Sequence, residues 1–129
     1  MLDHVGFAVA DAERSRAFYE RALAPLGLTL QLTVPAAENG SGGTAHGFGT
    51  PGDPFFWVGD NEQVGEGTHV AFRAKTRAEV DGFHAAALAA GGRDNGGPGL
   101  RPLYGPDYYA AFVFDPDGIN LEAVCRAPE

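Results

Sequence analysis

His4 and His69 stand 65 positions apart, and the same spacing recurs along the chain. Setting Leu2–Leu28 beneath Gly67–Arg93 aligns the two histidines without a gap. It also pairs Val5 with Val70, Phe7 with Phe72, Phe18 with Phe83, Leu23 with Leu88 and Gly27 with Gly92. Further on, Pro51 falls on Pro116, and Phe55-Phe56-Trp57-Val58 overlies Asn120-Leu121-Glu122-Ala123, so Trp57 is the mate of Glu122. Self-similarity at a fixed offset marks a duplicated structural unit. Two neutral imidazole nitrogens and a carboxylate suit zinc, iron, manganese, cobalt or nickel, and three protein ligands leave positions open for water and substrate. Taken alone, a strand histidine is more often a hydrogen-bonded core or surface residue than a ligand. The ligand reading rests on the matched placement of the histidines and on Glu122, whose burial without a partner would be costly.

Strands must present these side chains, and each copy reads as strand, helix, then three strands. His4 to Val9 alternates as a strand, and Asp11 is the N-cap of a helix with the stripe Phe18, Tyr19, Ala22 and Leu23, ended by Gly27. Strands follow at Thr29 to Val34, near Ala45 to Phe48, and at Phe55 to Gly59. In the second copy Thr76-Arg77-Ala78-Glu79 is a capping-box sequence, and Val80, Phe83, Ala87 and Leu88 keep helical spacing until Gly91 and Gly92. A weak strand near Arg93 precedes strands at Tyr108 to Phe114 and Ile119 to Val124, joined by the turn Asp115-Pro116-Asp117-Gly118. Residues two apart share a strand face. If Val5, Phe7, Val70, Phe72, Leu121 and Ala123 meet the helices, then His4, His69, Arg73 and Glu122 look to the opposite, concave side.

Length and composition bound the rest. The expected organisation of the 129 residues is one α+β domain, with module one at about 1–62 and module two at about 66–129. The single cysteine, Cys125, cannot form an internal bridge and alternates away from Glu122, which suits packing. No charged-then-apolar leader precedes Leu2 and no apolar run is long enough to span a bilayer, so a cytoplasmic protein without a membrane partner is expected. With 17 acidic against 9 basic residues and scattered arginines, nucleic acid is not an expected partner.

The segments Leu2-Asp3-His4-Val5, Phe18–Leu23, Gly67–Phe72 and Tyr108–Gly118 with Asn120–Val124 resemble the vicinal oxygen chelate superfamily. That superfamily includes glyoxalase I, fosfomycin-resistance thiol transferases, extradiol dioxygenases, methylmalonyl-CoA epimerase and bleomycin-resistance proteins. The resemblance covers essentially the whole chain. It implies two βαβββ modules forming an open, cup-shaped mixed sheet of the glyoxalase/bleomycin-resistance/dihydroxybiphenyl-dioxygenase kind. It also places His4, His69 and Glu122 at three of four metal-ligand positions. Trp57 fills the fourth, and an indole offers only an N–H donor. Glyoxalase I has an acidic residue there, as ligand and as base, so its activity is not expected here. Thiol transferases and dioxygenases of the superfamily manage with two histidines and one glutamate.

Two functional readings therefore stand. One is an enzyme whose divalent ion acts as a Lewis acid on a substrate with neighbouring oxygens. The other is a metal-free small-molecule or antibiotic binding protein of the bleomycin-resistance type. In either, Phe55 and Trp57 form an aromatic wall or simply pack the core, and Arg73 holds an acidic group or is simply solvated. Of Tyr104, Tyr108 and Tyr109, the pocket residue is taken as Tyr109. His46 is expected to be a solvated loop residue and His84 a structural one. Open sheet edges, and the pairing or module exchange common in the superfamily, lead to an expected homodimer.

Overall fold

The computed structural model describes every residue from Met1 to Glu129. In the first half, strand β1 (Val5–Ala8) leads to helix α1 (Ala12–Leu23), a 3₁₀ turn (Ala24–Leu26), and strands β2 (Thr29–Val34), β3 (Ala45–Thr50) and β4 (Asp53–Gly59). In the second, β5 (His69–Arg73) leads to α2 (Arg77–Ala89), β6 (Arg93–Asp94), β7 (Gly99–Leu100), β8 (Tyr109–Phe114) and β9 (Asn120–Cys125). The sheets run β1-β4-β3-β2 and β5-β9-β8-β6, with β7 also on β8. The first and last strands of each module pair in parallel and the others antiparallel. Neither sheet closes. The repeat extends to register: Gly6 lies opposite Trp57 in one sheet, as Ala71 lies opposite Glu122 in the other.

Local signals set the helices. Asp11 caps α1 by accepting from the Arg14 N–H at 3.0 Å, and Thr76 caps α2 by accepting from the Glu79 N–H at 3.2 Å. The Glu79 carboxylate reaches back to the Lys75 N–H, one residue beyond the N-cap that a regular capping box would engage. Gly27, at φ 75°, supplies the left-handed residue after the 3₁₀ turn, a conformation that carries no steric penalty without a Cβ. β7 was not expected from the sequence. It is two residues long, bounded by glycine and proline, and too short to show alternation.

The helix stripes meet in one core of 19 buried residues drawn from both halves. Phe56 of β4 and Phe72 of β5 pack edge to face with ring centroids 5.0 Å apart. Helices α1 and α2 also pack on each other. A Cβ on Gly82 of α2 would lie 3.1 Å from Pro25, so the small residue lets the backbones approach. With both helices inside this shared core, each sheet turns its other face away from it. β1 and β5, each one edge of its sheet, are partly exposed. No helix is long and apolar enough to cross a membrane.

The turn after β8 ties the halves together. Asp115 is buried and accepts hydrogen bonds from the Tyr19 hydroxyl at 2.6 Å and from the N–H groups of Asp117 and Ile119. Asp117 in turn pairs with Arg14 at 2.7 Å and accepts from the Ala10 N–H at the start of α1. Burial pushes the Asp115 carboxyl above the ordinary aspartate range, a rise the three hydrogen bonds only partly offset. The folded state therefore holds this proton to a higher pH than the unfolded chain. This group's stabilising contribution is present below the unfolded value and is lost as pH rises through the folded one. Asp115→Asn should flatten that fall, seen as a smaller loss of urea midpoint between acidic and neutral pH.

Candidate metal and ligand site

Glu122 sits in the middle of the open face of the second sheet, with Ala71 of β5 on one side and Phe112 of β8 on the other. Its side chain is only 4% exposed, yet both carboxylate oxygens are engaged. Oε1 accepts a short hydrogen bond from the Tyr108 hydroxyl, and Oε2 lies 3.1 Å from His69 Nε2. The other imidazole nitrogen, Nδ1, lies 3.0 Å from the Asn120 carbonyl oxygen. A carbonyl can only accept, so Nδ1 carries the proton and donates. A neutral His69 then turns the lone pair of Nε2 toward a carboxylate oxygen that is also an acceptor. Two facing acceptors require a cation between them, either a proton or a metal ion. Anchoring of Nδ1–H on a backbone carbonyl is the arrangement that orients histidine ligands bound through Nε2.

Neighbouring side chains fix this pair. The His69 ring stacks on Phe112, with centroids 6.4 Å apart and planes 21° from parallel. Burial, and then the bond to Glu122, push the Tyr108 phenol up to about 12, so it remains a donor at neutral pH and holds one carboxylate oxygen. Arg126 lies over the Tyr108 ring, and Arg73 stands exposed on the same face, opposite Val124.

The first sheet presents a different surface. Trp57 lines a cavity of about 280 Å³ with Gly6, Ala8, Asn39 and Asn61. Phe55, on the same face, lines a groove of about 300 Å³ with His4, Asp53 and Ala71. Both aromatic rings lie over glycines of β3. A Cβ on Gly47 would come within 2.7 Å of the Trp57 ring, and one on Gly49 within 2.0 Å of the Asp53 carbonyl oxygen and 3.0 Å of Phe55. This accounts for glycine at alternate positions of β3.

The structure brings some of the sequence-derived residues together and separates others. His69 and Glu122 are brought together. His4 is not: its imidazole is 61% exposed and pairs with Asp3 at 2.7 Å, and no group of three His, Cys, Asp or Glu side chains gathers in ligating range within the chain. Convergence of all three ligands inside one chain is therefore corrected to a pair and a separate histidine. Tyr109 is also corrected. It belongs to the helix-facing side of β8, where its hydroxyl donates to Asp81 of α2 at 2.7 Å and Arg77 covers its ring. Tyr108 takes the place on the open face. The signal was available: Tyr108, Ala110 and Phe112 share a strand face, and Phe112 is the register partner of Glu122. His46 is not solvated but fully buried, bridging Thr33 and Glu13 on the helix side. His84 pairs with Asp94, and Cys125 is buried.

Residues 1–123 match the family model described as the Glyoxalase/Bleomycin resistance protein/Dioxygenase superfamily. The chain belongs to this superfamily. Among solved structures, a glyoxalase/bleomycin resistance protein from Albidiferax ferrireducens T118 is 28% identical with a TM-score of 0.81, covering 98% of this chain and 99% of its own. An E144Q glyoxalase I mutant from Zea mays is 27% identical with a TM-score of 0.69; the match covers 95% of this chain and 46% of the maize one. A family enzyme from Burkholderia phytofirmans PsJN, at 18% identity and a TM-score of 0.70 over 97% of this chain and 98% of that one, shares the fold. No curated protein matches. The superfamily fold accounts for the paired modules and open sheets.

Proposed function

We propose that this protein is a metal-dependent enzyme of the superfamily whose site is shared by two copies of a single-domain, two-module chain. His69 and Glu122 of one copy and His4 of a second would hold the ion. The observation that carries this reading is the His69–Glu122 pair, with Nδ1 tied to a carbonyl and Nε2 facing a buried carboxylate oxygen. An imidazole nitrogen and a carboxylate fit a divalent first-row ion, and a third donor is what such sites require. The first-module histidine immediately precedes β1, and β1 and β5 are both partly exposed sheet edges. A two-fold pairing that sets β1 of one copy beside β5 of the other would bring His4 toward that pair twice over.

A bound divalent ion would supply Lewis-acid polarisation to a substrate with neighbouring oxygens. The chain's own residues do the rest. Tyr108 fixes Glu122, and Phe112 sets the plane of His69. Phe55 and Trp57 of the facing module would close an apolar wall over the substrate and exclude water. Arg73, exposed on the same face, is available to an acidic group. The rival reading, a metal-free binding protein, draws on the fact that one chain gathers only two ligands. Metal content separates them. Protein purified without added metal should carry up to one ion per chain, and His4→Ala should lose it while keeping its fold; absence of metal from both, even after reconstitution, would support the rival.

A further inference from the structure

We infer that the cavity beside His69 is a seat for a carboxylate on a flat apolar body, with Arg101 as its recognition residue. This inference rests on the proposed site, because it names the class of substrate that site would take. The cavity, about 410 Å³, is lined by Gly96, Arg101, Tyr104, Phe112 and Asn120 among others. No acidic side chain lines it, in a chain whose formal net charge is −8. The arginine–carboxylate pairs of the molecule are Arg14 with Asp117, Arg16 with Glu20 and Arg77 with Glu129; Arg101 is in none of them.

Arg101 is nonetheless held in place. Its Nη1 donates to the Gly99 carbonyl at 2.9 Å and its Nη2 to the Gly97 carbonyl at 2.7 Å. The guanidinium lies over the Phe112 ring, 5.5 Å from its centroid. Gly96 makes room for this, since a Cβ there would lie 3.3 Å from both Arg101 Nη2 and Phe112, and its φ of 141° disfavours any side chain. Two carbonyls use two of the five guanidinium N–H groups, leaving the others with no acceptor of opposite charge. A cation fixed by neutral carbonyls and an aromatic face keeps its full charge for a ligand, and a planar fork matches a planar carboxylate.

The position of the cavity couples it to the metal ligands. Phe112 carries Arg101 and also stacks on His69, while Asn120 lines the cavity and its carbonyl accepts the hydrogen bond from His69 Nδ1–H. One ring, Phe112, thus lies 5.5 Å from the Arg101 guanidinium and 6.4 Å, centroid to centroid, from the His69 imidazole, so a ligand with its acidic group on Arg101 would extend along Phe112 toward His69 and Glu122. Phe112 and Tyr104 supply flat surface for the body between them.

Two pairs of probes test this by calorimetric titration. Against metal-loaded protein, 3,4-dihydroxybenzoate is compared with catechol, which has the same neighbouring oxygens without the carboxylate. Against metal-free protein, benzoate is compared with benzamide, which reads the arginine without the ion. The carboxylate of each pair should bind about tenfold more tightly, the scale of one charge-assisted contact. Arg101→Gln should erase both preferences, Arg101→Lys should restore part of each, and Arg21→Gln, at an exposed position of α1 away from the cavity, should leave both intact. Equal binding within both pairs, no binding by any probe, or a preference that survives Arg101→Gln would overturn the inference. A benzoate preference lost only in Arg101→Gln, with no metal-dependent catechol binding, would instead sink the metal reading and keep the carboxylate seat.

Discussion

Glu122→Gln should lower divalent-metal affinity by at least about a hundredfold while leaving a cooperatively folded protein. The amide keeps the volume of the side chain and can still accept from Tyr108 through its oxygen. It removes the one buried negative charge on the open face of the second sheet, and it can place an NH₂ donor where Oε2 faces His69 Nε2. That donor satisfies the imidazole lone pair without a cation, so the variant should fold as well as the parent or better in the absence of metal. Such a division follows from a carboxylate retained for a ligand and not for packing. Competition with a chelating indicator reads the affinity, and thermal unfolding with and without metal reads the stability. A variant that binds metal as tightly as the parent would remove Glu122 from the site.

The second large effect is expected at Trp57. Its place opposite Gly6 repeats that of Glu122 opposite Ala71, so it stands where the module symmetry offers a fourth ligand position. An indole provides neither a lone pair for an ion nor a base for proton abstraction. The parent protein should therefore show negligible isomerisation of the methylglyoxal–glutathione adduct. Trp57→Glu should tighten metal binding about tenfold or more by adding a carboxylate donor. Without metal the same change strips the ring from Gly47 and leaves a half-buried charge, at a cost of about 2–4 kcal/mol. Robust isomerase activity in the parent, or unchanged metal affinity in the variant, would show that the fourth position lies elsewhere.

Much of this arrangement could be read from residue order alone. Duplication showed in the matched His4 and His69, and strand alternation placed Val70, Phe72, Leu121 and Ala123 on the side opposite Glu122. The caps Asp11 and Thr76 and the turn at Asp115–Gly118 were visible because their chemistry is local. What escaped is what depends on distance between elements. Alternation could show that His4 and Glu122 each turn from their own helix, but not that the two sheets present those faces to different places. Tyr108 and Tyr109 are adjacent, and a shift of one residue at the strand start exchanges their faces. His46 lies within a glycine-rich stretch that reads as a loop, yet Gly47 and Gly49 of that stretch are where β3 passes beneath Trp57 and Phe55, and the alternate face is core. The Arg101 cavity is built by the short β7 and its flanking turns, which carry no periodic signal.

The shared site itself is tested most directly by mixing two inactive variants. His4→Ala and Glu122→Gln chains, each unable to hold the ion alone, are unfolded together, refolded in equal amounts and assayed for bound metal. If each site takes His4 from one copy and His69 with Glu122 from the other, half of the dimers are mixed and each mixed dimer rebuilds one of its two sites. The mixture should then bind about a quarter of the metal held by the parent. A site contained within one chain predicts none, because every chain in the mixture lacks a ligand, and that result would contradict the account.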